Sequence, residues 1–180
     1  IAYADFPTDT QWHAYHIGAM DWLPNADAMQ WMNEEIVPAI LEKAPDFHFE
    51  FAGRNMPQNL LAFQQKSFRC VGEVADAQTF LKEKQILIVP LRSGSGIRIK
   101  TLEAMAMGKL VISTQIGIEG IEAIDKVHYL KANTASEFAD AIHWVLHNKN
   151  AARIIAHNAQ LLIMEQYNQA KLTKKLVDFV

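Results

Sequence analysis

The chain has a single cysteine, Cys70, in 180 residues, so no internal disulfide can staple it. A reduced, cytosolic setting is the expectation that follows. The net charge is only −3, which gives no sign of a nucleic-acid surface. No apolar run approaches the roughly 20 residues of a membrane span, and no signal-peptide pattern is present. Internal repeats and low-complexity segments are absent. The run Gly94-Ser95-Gly96-Ile97-Arg98-Ile99 lacks the third glycine of a dinucleotide fingerprint, and no Gly-Lys-Ser/Thr of a P-loop occurs. What remains is half hydrophobic and 21% charged, the composition of an ordinary globular domain long enough for a full core.

The stretch from Val89 to Thr114 organises the rest. Gln85–Val89 is a short branched run of the kind buried on both faces of a parallel sheet. Pro90 ends it. Ser93-Gly94-Ser95-Gly96 is a loop whose backbone can approach a ligand closely. A helix is expected from near Ile97 to the C-cap glycine Gly108, and Leu110–Ser113 is the next strand. Arg98 and Lys100 fall in the opening turn, where partial positive charge makes cations unfavourable unless an anion joins them. A phosphate-bearing ligand would fill that role. Ile99, Leu102 and Ala106 are expected to form the core stripe, with Glu103 at its edge. A carboxylate there needs donors, and sugar hydroxyls qualify. The plainer alternative is a mere turn with Glu103 paired to Lys100 one turn back, in the poorer orientation.

Before this stretch, residues 1–12 read as a linker or the remnant of a preceding domain. Tyr3, Phe6 and Trp12 pack either on a missing partner or back onto the chain. Ala14–Ala19 is a first strand, in which His16 reads as a core histidine. Asn25 or Asp27 caps a long helix to about Lys43, kinked at Pro38, with Trp31, Ile36, Ile40 and Leu41 inward. Phe47–Ala52 and Phe68–Val71 are strands, Pro57–Gln65 a helix, and Asp76 caps a helix over Ala77–Lys84. Val127–Leu130 is the last strand. Helices follow at Ser136–Asn148, Ala151–Gln166 and Asn168–Val180. His143 and His147 share one turn of a polar face with no third ligand for a metal. Strands alternating with helices predict an α/β domain over 13–180, a parallel sheet of about six strands with helices on both faces. Its ligand face is the carboxyl edge. That edge gathers Asp21–Asn25, Gly53-Arg54, Gly72–Val74, Arg92–Glu103 and Thr114–Gly120.

The run Gly94–Lys109 with Val111-Ile-Ser-Thr114 and Gly117-Ile-Glu-Gly120 resembles retaining glycosyltransferases of family 4, and does so from about His16 onward. The loop Trp22-Leu-Pro-Asn25 is similar to that of a subset of the family. The resemblance implies the second, donor-binding domain of a GT-B protein: a Rossmann-like, three-layer α/β/α unit facing an N-terminal acceptor domain of the same chain. It implies glycosyl transfer from a nucleotide-diphosphate sugar with retention, in polysaccharide biosynthesis. No metal and no cofactor beyond that donor substrate are implied, and no Asp-x-Asp metal motif is present. Any membrane association would run through the missing domain. In the family a Glu-x7-Glu pair marks the donor site. Its second member matches Glu103, which would hold the ribose; its first position is Ser95 here, a departure. Amides matching Gly96, Ile97 and Arg98 approach the sugar and phosphates, beside Gly94 and Thr101. The usual Arg and Lys after the first strand are absent from Asp21–Asn25, so Arg98 and Lys100, with Arg92, are expected to supply the charge near Trp22 and Asn25. Arg54, Gly72 and Val74 are assigned to the base pocket. The other readings are a noncatalytic nucleotide-binding or interaction module that has lost the first Glu, and a nucleotide-sugar epimerase.

Overall fold

The computed structural model describes residues 12–62, 64–65 and 67–166. Residues 1–11 of the expected linker and the expected helix 168–180 lie outside them. Elements run in the order β1 (His13–Ile17), α1 (Leu23–Trp31), a wide π turn (Met32–Ile36), α2 (Val37–Lys43), β2 (His48–Ala52), α3 (Gln58–Leu61), β3 (Gln64–Gln65) and β4 (Phe68–Gly72). They continue with α4 (Ala77–Lys82), β5 (Ile86–Val89), α5 (Ile99–Ala106), β6 (Leu110–Ser113), β7 (Leu130–Lys131), α6 (Ala135–His147) and α7 (Lys149–Gln166).

The sheet order is β3-β4-β2-β1-β5-β6-β7. Six strands are parallel, and β3 alone is antiparallel, paired to β4. Counting the parallel strands, the order is the doubly wound 3-2-1-4-5-6 of a Rossmann-like sheet. The chain turns back between β1 and β5. Right-handed crossovers in opposite directions from that point send the two sets of helices to opposite faces. α2 packs on α6, and α5 on α7. The central strands β5 and β6 are buried along their whole length, as two covered faces require. Trp31 meets Phe138 edge-to-face at 5.8 Å, joining the first helix to α6.

Several expected boundaries move. The first helix begins at Leu23 with Trp22 in the N-cap position, and neither Asn25 nor Asp27 caps it. Pro24 takes the first turn, where its missing N–H costs nothing. The break expected at Pro38 is the π turn just before it, closed by the Val37 N–H on the Met32 carbonyl. The helix expected over Pro57–Gln65 stops at Leu61, because Gln64 and Gln65 find ladder partners on the exposed edge of β4. The last strand shifts to Leu130–Lys131, the residues that reach β6. Trp12, left open between two partners, is fully buried beneath the Arg153 guanidinium, 5.7 Å from its ring. Asp76 does cap α4, accepting from the Gln78 N–H at 2.9 Å. Gly108 closes α5 at φ 68°, with its own N–H on Met105 O and the Lys109 N–H on Ala104 O, a Schellman pair.

Candidate functional site

Strands β1 and β5 stop pairing at Tyr15 and Leu87, before either strand ends. A crevice at the carboxyl edge results, at the point where strand order reverses. Ile17, Gly18, Trp22, Asn25 and Ile97–Lys100 line a cleft of about 430 Å³ there. The loops after β1, β2 and β4 are tied side by side: Gly18 N–H to Ala52 O, Met20 N–H to Arg54 O and Gly53 N–H to Gly72 O. A Cβ on Gly53 would sit 1.7 Å from the Gly18 carbonyl oxygen, so only glycine permits this approach.

Across the cleft, α5 opens with Arg98 in the N-cap position and no side-chain cap. Its first helical bonds come from Thr101 and Leu102, both to the Arg98 carbonyl. The N–H groups of Ile99 and Lys100 therefore have no acceptor among the described residues. The Arg98 side chain is 6% exposed, its guanidinium 5.2 Å from the Trp22 ring and its Nη1 donating to Ser95 O at 2.6 Å. Nε and Nη2 are buried with no partner. Buried donors without acceptors are rare and costly, and this mouth holds two of them beside the open N–H groups of α5. Gly94, at φ 103°, is where Trp22 and Arg98 meet the loop: a Cβ there would lie 3.1 Å from both.

Lys100 does not face the cleft mouth as the sequence suggested. Its ammonium turns inward and donates to Asn25 Oδ1 at 2.8 Å, His16 Nε2 at 2.9 Å and Ile17 O at 3.2 Å. Those three contacts use all three of its donors. Burial, with the Arg98 guanidinium nearby, lowers its pKa from 10.5 to about 7. Asn25 is buried and also donates to Ala19 O at 2.9 Å. Gly18 leaves room for it, since a Cβ would lie 2.5 Å from Asn25 Nδ2. Arg92, expected to join the anion site, is instead paired through two nitrogens with Asp27 and lies over Trp31. The fork is spent on that carboxylate.

The phase of α5 also differs from expectation. Thr101, Ala104 and Met105 face inward, while Ile99 is 70% exposed and Ala106 is exposed. The Thr101 hydroxyl donates to Gly117 O at 3.3 Å and so fastens the helix to the loop after β6. Thr114 braces that loop from Leu91 O to the Gly117 N–H. This rotation puts Glu103 on the exposed surface, one turn along from the mouth, rather than at the core edge. Its carboxylate has no hydrogen bond or ion pair among the described residues, and the alternative pairing with Lys100 is not made. Its charge reaches the Tyr15 phenol, whose pKa is raised by burial first and by Glu103 second.

The structure thus gathers Trp22, Asn25, Gly94, Ser95, Gly96, Ile97, Arg98 and Lys100 around one crevice, with Glu103 farther along α5. Arg54, Gly72 and Val74 follow the neighbouring strands, and none of them lines the cleft. Gly72 has φ 78°, and Arg54 is exposed. Among the described residues no group of three His, Cys, Asp or Glu side chains could hold a metal ion. The His143 and His147 rings lie 4.3 Å apart and tilted by 37°, with the His147 ring donating to the His143 carbonyl. His16, read from the sequence as a core histidine, is fully buried with both ring nitrogens partnered. Its signal in the sequence was a polar side chain inside the apolar run Ala14–Ala19.

Residues 13–148 match the family model described as Glycosyl transferases group 1. An uncharacterized 44.6 kDa protein in the cps region of Klebsiella pneumoniae is 25% identical over 157 residues, 82% of this chain. The chain spans 40% of the length of that relative. Among solved structures, the C-terminal domain of a glycosyl transferase group 1 family protein, LpcC, from Francisella tularensis superposes with a TM-score of 0.68 at 19% identity, covering 87% of each chain. Anabaena HepE, in complex with UDP and glucose, gives 0.74 at 12% identity over 94% of this chain and 48% of its own. The structural likeness is one of fold; the family match, spanning most of the sequence, establishes that this chain belongs to the glycosyl transferases group 1 family.

Proposed function

We propose that this chain is the donor-binding domain of a glycosyltransferase that uses a nucleotide-diphosphate sugar and retains the anomeric configuration. The observation that carries the reading is the unsatisfied Arg98 guanidinium beside open N–H groups at the mouth of α5. A diphosphate is the ligand whose oxygens fit donors of that number and sign. Glu103, its carboxylate unpartnered on the same helix, would accept from the ribose hydroxyls. As the nucleotide leaves, negative charge grows on the diphosphate while the sugar becomes cationic. Arg98 and the α5 amides are fixed before that charge appears, so they stabilise it without reorganising. Lys100 adds positive charge from beneath. Holding the ribose fixes where the breaking bond lies. UDP and glucose bound to HepE support a nucleotide sugar as the donor class.

The acceptor would be held by a further, N-terminal domain, and the single domain would be inactive without it. Polysaccharide biosynthesis fits the cps-region relative. No helix among the described residues is long and apolar enough to cross a membrane, and the buried Cys70 has its pKa raised by burial, which makes it a poor nucleophile. A cytoplasmic, metal-independent enzyme is the reading we adopt.

Titration calorimetry with UDP, GDP and ADP and their sugars tests it. One nucleotide class should bind, and Glu103→Ala and Arg98→Ala should each weaken it about tenfold or more, the worth of charged hydrogen bonds. Binding unchanged in both variants would displace the site. Ser95, at the position of the family's first Glu, favours one rival: a module that binds nucleotide and transfers nothing. Donor binding without turnover in the full-length protein would select it.

A further inference from the structure

The ladder between β1 and β5 ends at Tyr15 and Leu87. Just beyond it, the His16 ring lies in the gap. It is 0% exposed, yet both of its nitrogens have partners. Nδ1 is 2.8 Å from Ile88 O, and Nε2 is 2.9 Å from Lys100 Nζ. A carbonyl can only accept, so Nδ1 carries the proton. Nε2 is then the lone-pair nitrogen, and Lys100 must be the donor. The ring therefore bridges the two strands of the switch point to the second residue of α5.

We propose that His16 is a positioning residue of the anion site: through Nε2 it holds the Lys100 ammonium beneath the mouth of α5, with Ile88 setting its tautomer. This rests on the donor-site reading above. His16 itself lines no part of the cleft, so its effect on a ligand runs through Lys100. Without it the ammonium keeps only Ile17 O and Asn25 Oδ1 in a place that already disfavours its charge. The charged neighbour there is Arg98 on the cleft side. On α1, Asp27 is taken by Arg92, and on β5 the contact is the neutral Ile88 carbonyl. With so little counter-charge, each acceptor counts, and losing one drives Lys100 toward its neutral form. An uncharged Lys100 no longer attracts a phosphate.

The test uses the 180-residue chain in two arms. In the first, long-range proton–nitrogen spectra of the 15N-labelled protein, with His16 assigned by its loss in His16→Gln, report the ring. The expected result is the neutral Nδ1–H tautomer, persisting well below pH 6.5, since burial and Lys100 both lower its pKa. An Nε2–H tautomer or an ordinary titration overturns the proposal. In the second arm, inorganic pyrophosphate is titrated calorimetrically from pH 6 to pH 8.5. His16→Leu, which fills the volume but offers no acceptor, should bind about tenfold more weakly at pH 7.5 and recover toward wild type at pH 6. His16→Gln, whose amide offers donor and acceptor, should stay close to wild type. A folded His16→Leu with wild-type affinity and pH profile overturns the positioning role alone. Wild type that binds neither pyrophosphate nor UDP overturns the donor-site reading, and this role with it. If His16→Leu does not fold, the tautomer and the Gln profile decide.

Discussion

Arg98→Met is expected to cost the free domain almost nothing while removing its affinity for a diphosphate. The side chain is 6% exposed, and truncating a buried, fully paired charged group ordinarily costs about 3–5 kcal/mol. Arg98 is not fully paired. Two of its nitrogens, Nε and Nη2, are buried without acceptors, and each such donor carries a penalty of about 1–3 kcal/mol. Methionine abolishes both penalties and keeps the apolar stem. Against this stand the bond from Nη1 to Ser95 O, worth about 1.5–3 kcal/mol, and the stacking on Trp22, about 0.5–2 kcal/mol. Gain and loss are of one size, so the net change should lie within about 1 kcal/mol. For a chain of this length that is a Tm shift of no more than about 4 °C in either direction. Differential scanning calorimetry of the ligand-free variant measures it. In the same instrument UDP should raise the wild-type Tm with concentration and leave the variant's unmoved. A loss of more than about 3 kcal/mol in the free protein would mean the guanidinium is satisfied at rest, and the argument for a waiting anion would fail.

Two further outcomes follow from the same geometry. Lys100 has a folded pKa of about 7, below its unfolded value, so between that pH and about 10 the unfolded chain binds more protons and stability rises with pH. Denaturant titrations should register this rise from pH 7 to 9 in wild type and its loss in Lys100→Met, while pyrophosphate affinity falls over the same window. A wild-type stability curve that is flat or falls relative to Lys100→Met would contradict the burial of that ammonium. Gly53→Ala would force a Cβ to within 1.7 Å of the Gly18 carbonyl oxygen, so the loops after β1 and β2 must part. We expect a loss of roughly 3 kcal/mol or more in chemical denaturation, and a loss under 1 kcal/mol would show that the loops adjust freely.

The central strands were legible because they are short, branched runs buried along their whole length and bounded by Pro90 or Gly108. Ile86–Val89 and Leu110–Ser113 could be placed without knowing their neighbours. The glycine loop and Gly108 were legible for a related reason: a left-handed turn admits few other residues. The phase of α5 was not. By period Ile99, Leu102 and Ala106 share one apolar face, yet Thr101, Ala104 and Met105 are the residues buried, so the tertiary contacts override the pattern. The hydroxyl of Thr101 on Gly117 O settles it, through a contact 16 residues away in sequence.

The same division runs through the site. Chain order alone determined that the loops carrying Trp22 and Arg98 would meet at one edge, because right-handed crossovers leave little choice. It also put cations at the head of α5, the helix end where positive charge is unfavourable on its own. Only the tertiary structure decided which cation keeps open valences. Arg92, Arg98 and Lys100 are equal as letters. Packing gives the first to Asp27 and the last to His16, Ile17 and Asn25, and leaves Arg98 unsatisfied, since hydrogen-bond partners come from residues up to 84 positions away that no local pattern encodes.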